Sequence, residues 1–200
     1  MWLVVGLGNP GGKYSLNRHN VGFMALDAYC ASVAKGTSLP NWKDERQALV
    51  TRLKLEDQEV LFAKPQTYMN KSGESVQALM HFYKIGIDKL IVLHDEIDIP
   101  FGAIKIHQNR GPGGHNGLKS INQMLGSQDY PRLKLGVGRP SHPGMDVAAY
   151  VLQDFSSEEQ THLHEFLGVA GDAVESLIFD GYNKAATKFT RGPIALSTNG

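Results

Sequence analysis

Two spacings of apolar residues organise the chain. Short unbroken runs mark buried strands, Trp2 to Leu7 at the start and Leu90-Ile91-Val92-Leu93 further on. Ala48 to Leu55 and Glu59 to Ala63 read as a hairpin turning at Glu56-Asp57-Gln58. Ala103 to His107 and Arg132 to Val137 add two more strands. Helical spacing takes over elsewhere. Val21, Met24, Ala25 and Ala28 predict a helix over about 20–35. Val76, Leu79, Met80 and Tyr83 predict another, with Ser72 as its cap. Leu118, Ile121 and Leu125 predict a helix over about 115–126. Ser156-Ser157-Glu158-Glu159 reads as a capping box opening a long helix through Leu163, Phe166, Leu167, Ala170, Val174, Leu177 and Ile178. A short helix over about 183–189 closes the pattern.

Strands alternating with helices give an α/β chain, and the hairpin excludes an all-parallel sheet. The expectation is one domain over 1–190, a mixed twisted sheet with helices on both faces, followed by a polar tail over 191–200. Composition agrees, since 42% of the 200 residues are hydrophobic, enough for a substantial core. No apolar run approaches a membrane span. The opening Met1-Trp2-Leu3-Val4-Val5 lacks a basic stretch and is expected to be a strand, not a secretory signal. A lone cysteine, Cys30, builds no disulfide framework, so a cytoplasmic protein with a buried structural thiol is expected. Twenty basic residues balance twenty acidic ones. Residues 102–142 nevertheless hold six basic side chains against one acid, a candidate phosphate or nucleic-acid face.

Three motifs nearly fit other chemistries. Gly6-Leu7-Gly8-Asn9-Pro10-Gly11 satisfies the dinucleotide pattern, but helical periodicity starts only at Val21 and the ribose-binding acid is missing. Gly111 to Ser120 resembles a P-loop, yet Leu118 separates Gly117 from Lys119-Ser120. Asp95 and Asp98 are too few for a hard-cation site, and His162-Leu163-His164 reads as solvated helix surface, so no metal is expected. No G-x-S-x-G elbow supports a serine hydrolase.

The remaining polar clusters fall where strands should end, which is where open α/β sheets place their sites. Asn9, Tyr14, Asn17, Arg18, His19 and Asn20 follow the first strand; Tyr68-Met69-Asn70 precede a helix; His94-Asp95 end a strand; His115-Asn116 open another helix. His19 is the natural proton acceptor near neutrality. Asp95 is the candidate to hold its other nitrogen and favour the charged ring. Without a convincing nucleophilic side chain, the pair would activate water. Asparagine amides would orient a carbonyl and stabilise the oxyanion.

Gly6-Leu7-Gly8-Asn9-Pro10-Gly11-Gly12-Lys13-Tyr14 and Asn17-Arg18-His19-Asn20-Val21-Gly22 resemble the opening signature of the bacterial-type peptidyl-tRNA hydrolase family. Lys64 to Gly73, His94 to Pro100, Gly113 to Ile121 and Gly136 to Pro140 resemble its further blocks, in order, so the likeness runs from about 1 to 188. Gln108-Asn109-Arg110-Gly111-Pro112 departs from the family's more glycine-rich run. The resemblance implies hydrolysis of the ester between a peptidyl group and tRNA, recycling tRNA from prematurely released peptidyl-tRNA. It implies that His19 accepts the proton, that Asp95 keeps it basic, and that Asn9 senses the blocked amino group. Tyr14, Tyr68, Asn70 and Asn116 match substrate-contacting positions, Met69 would line the peptide cleft, and His115 falls in the same set. The expected partner is peptidyl-tRNA, through its CCA end, acceptor region and peptide. Neither a cofactor nor an obligate protein partner is expected, and the chain should be monomeric. Lys105, Arg132 and Lys134 are the candidates for salt-sensitive phosphate contacts. The competing readings are a non-catalytic RNA-binding module using the same cleft and basic face, and a nucleotide-binding oxidoreductase.

Overall fold

The computed structural model describes residues 1–34, 40–190 and 192–196. Among these residues seven strands form one mixed sheet: β1 (Trp2–Gly6), β2 (Lys43–Glu45), β3 (Ala48–Leu55), β4 (Gln58–Pro65), β5 (Leu90–Glu96), β6 (Ile104–His107) and β7 (Arg132–Gly136). Their order is β2-β3-β4-β1-β5-β7-β6. The four central strands β4, β1, β5 and β7 run parallel. The outer pairings β2–β3, β3–β4 and β6–β7 are antiparallel. Among the described residues six α-helices accompany them: α1 (Val21–Val33), α2 (Ser72–Tyr83), α3 (Asn116–Leu125), α4 (Val147–Val151), α5 (Ser157–Phe179) and α6 (Tyr182–Lys188).

The alternation of side chains along each strand builds two cores. On one face Val4, Phe62, Ile91 and Leu133 pack with Leu26 of α1 and Phe166, Ala170 and Val174 of α5. On the other, Leu3, Val5, Leu61 and Val92 pack with Val76 and Leu79 of α2 and Leu118 and Ile121 of α3. Helices therefore cover both faces, as the sequence pattern predicts.

Two glycines set how the first helix meets the sheet. A Cβ on Gly22 would lie 2.5 Å from the Leu7 nitrogen, and one on Gly6 would lie 2.3 Å from the Gly22 carbonyl oxygen. Only bare backbone lets α1 press against the end of β1, which fixes the turn at 17–20 beside that strand.

One expectation needs correction, and the structure adds to others. Ser72 is the first residue of α2 and not its cap; its hydroxyl donates to the Met69 carbonyl at 2.8 Å. Helix α4 and strand β2 were not foreseen. Within the expected polar tail, the Ile194 nitrogen donates to the Phe101 carbonyl at 3.0 Å, and Ile194 and Leu196 pack against the first core. Apolar side chains in an otherwise polar segment explain that docking. Residue 35 of the first expected helix, and residues 191 and 197–200 of the expected tail, lie outside the described residues.

Cys30 is fully buried. Burial, aided by the charge of Asp27, pushes its thiol up to about 12, as suits an inert structural cysteine. Among the described residues no helix is long and apolar enough to cross a membrane.

Candidate active site

Strands β1, β4 and β5 are parallel neighbours, so their carboxyl ends share one edge of the sheet. The chain leaving β1 carries Asn9 and His19, that leaving β4 carries Tyr68, Met69 and Asn70, and β5 ends in His94, Asp95 and Glu96. His115 and Asn116 arrive at the start of α3. A cleft of about 490 Å³ is lined by Asn9, His19, Tyr68, Met69, Asn70, Asp95, His115 and Asn116. Eight sequence candidates thus converge on one cavity.

Asp95 is its polar centre. The carboxylate is 3% exposed and uses both oxygens. Oδ2 lies 2.8 Å from His19 Nδ1, and Oδ1 lies 2.7 Å from His115 Nε2. Burial alone would favour a protonated carboxyl, but the two rings and their hydrogen bonds hold it well below the usual carboxylate range. For His19 burial opposes the charged ring, yet the charge and hydrogen bond of Asp95 outweigh it, and its pKa lies above the ordinary histidine value. With Nδ1 engaged, Nε2 is the nitrogen left to take a proton. His94 provides the contrast. It is fully enclosed, its Nδ1 donates to the Asp95 carbonyl oxygen at 2.7 Å, and burial, then the neighbouring His115, push it down to about 3. It stays neutral behind the site.

Asn9 is oriented from both sides. Its backbone nitrogen donates to Asn20 Oδ1 at 2.9 Å, and Asn20 Nδ2 donates to its carbonyl at 2.9 Å. Its Oδ1 accepts from the Met69 nitrogen at 2.8 Å. Since a backbone N–H must face an acceptor, the free end of the Asn9 amide is Nδ2, a donor. Tyr68, just before Met69, adopts φ 59° and ψ 159°, a region almost restricted to glycine. Such strain in a half-exposed aromatic residue sits at the cleft wall, where strained backbone tends to be functional.

His19, Asp95 and His115 offer donor atoms within 4.8 Å of one another. Those nitrogens and oxygens are already spent on each other, so the cluster reads as a hydrogen-bond array.

Four sequence candidates are placed elsewhere. Tyr14 sits in a helical turn over Gly12–Tyr14 with Lys13 4.8 Å from its ring, and does not line the cleft. Lys105 is exposed on β6, opposite Lys134. Arg132 is 0% exposed and donates to the carbonyls of Arg110, Gly111 and Gln128, so its guanidinium is enclosed. Burial of its stem under the 108–112 run turns it into a loop anchor. Lys134 is likewise engaged, 2.8 Å from Glu96 Oε1.

Sequence reasoning missed the apolar wall, Val147, Ala148, Val151 and Leu152 from α4 and its end, together with Ile97. The i, i+4 pair Val147–Val151 after Asp146 was the available signal.

A family model described as peptidyl-tRNA hydrolase matches residues 3–196. The chain is 57% identical over 189 residues to the peptidyl-tRNA hydrolase of Bdellovibrio bacteriovorus, covering 94% of this chain and 99% of that one. It is 48% identical to the enzyme of the same name from Pseudarthrobacter chlorophenolicus, covering 94% of each. Among solved structures it is similar to peptidyl-tRNA hydrolase from Acinetobacter baumannii, with a TM-score of 0.84 and 31% identity over 98% of this chain and 97% of that one.

Proposed function

The chain belongs to the peptidyl-tRNA hydrolase family, and from that premise we propose how its cleft performs the reaction. The protein is a hydrolase that cleaves the ester of peptidyl-tRNA and so recycles the tRNA. What supports the assignment of roles is one observation: the carboxylate of Asp95 holds His19 through Nδ1 at the wall of a cleft furnished with three asparagines.

Water attacks the ester carbonyl carbon while His19 Nε2 takes its proton. Asp95 stabilises the imidazolium that forms. The oxyanion is met by amide donors among Asn9, Asn70 and Asn116. The tetrahedral intermediate then collapses, the ribose oxygen leaves, and the imidazolium returns the proton to it. General base action of this kind contributes on the order of 10²–10⁴-fold. Ester cleavage by this route needs no metal or cofactor. Asn9 selects the substrate because its free Nδ2 is a donor. The carbonyl of an N-acyl group can accept from it, whereas the ammonium of an unblocked aminoacyl group can only donate. Met69, Tyr68 and the α4 wall hold the peptide or the terminal adenosine of the CCA end. Lys105, with His107 and Arg110 beside it, faces the acceptor phosphates. The enzyme acts as a cytoplasmic monomer, in keeping with its single buried cysteine.

The test is turnover of a purified N-acyl-aminoacyl-tRNA by His19→Ala. Cleavage should fall by at least about 10²-fold while tRNA binding persists. Unchanged turnover would reject His19 as the base, and binding without turnover in the wild type would favour the non-catalytic reading.

A further inference from the structure

We propose that His115 is a positioning residue for the hydrolysis: it occupies one oxygen of Asp95 permanently and thereby limits how strongly the carboxylate can support a proton on His19. The proposal rests on the reading of His19 as the base.

The geometry of α3 fixes the state of His115. Its Nδ1 lies 3.1 Å from the Gly117 nitrogen and 3.4 Å from the Leu118 nitrogen, and it is the helix cap. Both of those groups are N–H donors, so Nδ1 must accept, and the ring proton sits on Nε2. Nε2–H then donates to Asp95 Oδ1. A second proton on Nδ1 would point at two backbone N–H groups. The exposed amides of a helix start therefore fix which ring nitrogen faces Asp95.

Asp95 thus serves two imidazoles of different character. His115 donates a hydrogen bond in every state of the enzyme. His19 gains charge only when it takes the proton of water. Negative charge satisfied at Oδ1 by a constant donor is charge less available at Oδ2. The rings are close enough to act as one unit, with centroids 5.2 Å apart for His19 and His115 and 5.0 Å for His94 and His115. Other titratable groups near them are few. Glu96 lines the cleft from β5, Lys134 on β7 neutralises it at 2.8 Å, and His94 stands uncharged behind. Helix α4 contributes only apolar side chains to the cleft.

Two substitutions separate the roles of the two ring nitrogens. His115→Asn supplies an acceptor near the position of Nδ1 and keeps the helix cap, but cannot reach Asp95. His115→Gln carries an amide donor near the position of Nε2 and abandons the cap. The readouts are the His19 ring titration by NMR, the acid limb of the pH profile of kcat/KM, and thermal unfolding. In His115→Asn the His19 midpoint should rise by roughly 0.5–1 unit, with the acid limb following it, while Tm barely moves. In His115→Gln the midpoint should stay and Tm fall by about 3 °C. Identical His19 midpoints in wild type and His115→Asn would overturn the proposal. So would a parallel loss of stability and shift of midpoint in both variants, which is what mere structural damage produces. The NMR titration reads the coupling through Asp95 whether or not His19 is the base, and that other reading fails separately if His19→Ala keeps its turnover.

Discussion

Arg18 and Arg132 are both buried, 7% and 0% exposed, and each anchors a loop that brings a histidine to Asp95. Their partners differ. Arg18, next to His19, donates to Glu159 at 2.8 Å and to the Asp154 carbonyl at 2.9 Å, and its guanidinium lies 4.4 Å from the Tyr150 ring centre. Asn17 adds a bond of 2.6 Å to Asp154. Arg132 serves the loop before His115 through the carbonyls of Arg110 and Gly111, and it lies 5.1 Å from the Tyr130 ring centre. One arginine is neutralised by a carboxylate set in the first turn of α5; the other is solvated by the backbone of an exposed loop. The His19 side of the site is thereby tied into the core. The His115 side hangs on groups that can turn to water instead.

The sharpest way to break this contrast is to remove Arg18. Arg18→Met keeps much of the stem but strands Glu159, which is 6% exposed and retains only its bond from the Ser156 nitrogen. An uncompensated buried charge costs about 3–5 kcal/mol. Urea unfolding followed by circular dichroism should show a loss of that size, and adding Glu159→Gln should restore part of it. A loss below about 1 kcal/mol would mean that the pair does not bind loop to core. Arg132→Met comes next. It frees carbonyls on Arg110 and Gly111, both exposed residues that can reach water after a small movement. The expected cost is about 1–3 kcal/mol. Amide exchange should quicken over residues 110–114 and not in α5. A loss as large as that from Arg18→Met would erase the distinction.

The two arginines also mark what the sequence discloses. The strand runs and helical spacing locate six of the seven described strands and five of the six described α-helices, because each rests on local period and burial. The pairing of His19 with Asp95 is legible too, since each belongs to a polar cluster that follows an apolar run, where a parallel sheet gathers its loops. The enclosure of Arg132 is not legible, because charge alone cannot say on which side of a loop a long side chain lies. The second role of Asp95, toward His115, needs the start of α3 to be placed in space before it exists at all. Helix α4 is five residues long and offers a single i, i+4 pair, a weak signal, and the three-residue β2 is polar, 43–45 reading Lys-Asp-Glu. The docking of Arg18 onto Glu159 joins residues 141 apart, a separation no local pattern reaches.

The smallest effect sharpens the comparison by asking which basic residues touch tRNA. Lys105 is exposed on β6 with Lys134 opposite in register. Nearby His107 is held below the ordinary histidine value, first by partial burial and then by Lys134, Arg110 and Lys105, so the surface there is positive. A lysine that neutralises one phosphate releases about one counterion on binding. In a His19→Ala background, where binding is measured without turnover, Lys105→Ala should reduce the slope of log K against log salt by about 0.7–1. Arg132→Met in the same background should leave that slope unchanged, because a guanidinium enclosed by loop carbonyls displaces no ions from the nucleic acid. Any fall in affinity it causes should be the same at low and high salt, as expected when a displaced loop, rather than a lost charge, weakens the fit. A reduced slope in Arg132→Met, or an unchanged one in Lys105→Ala, would reverse the assignment and make the enclosed arginine the phosphate contact after all.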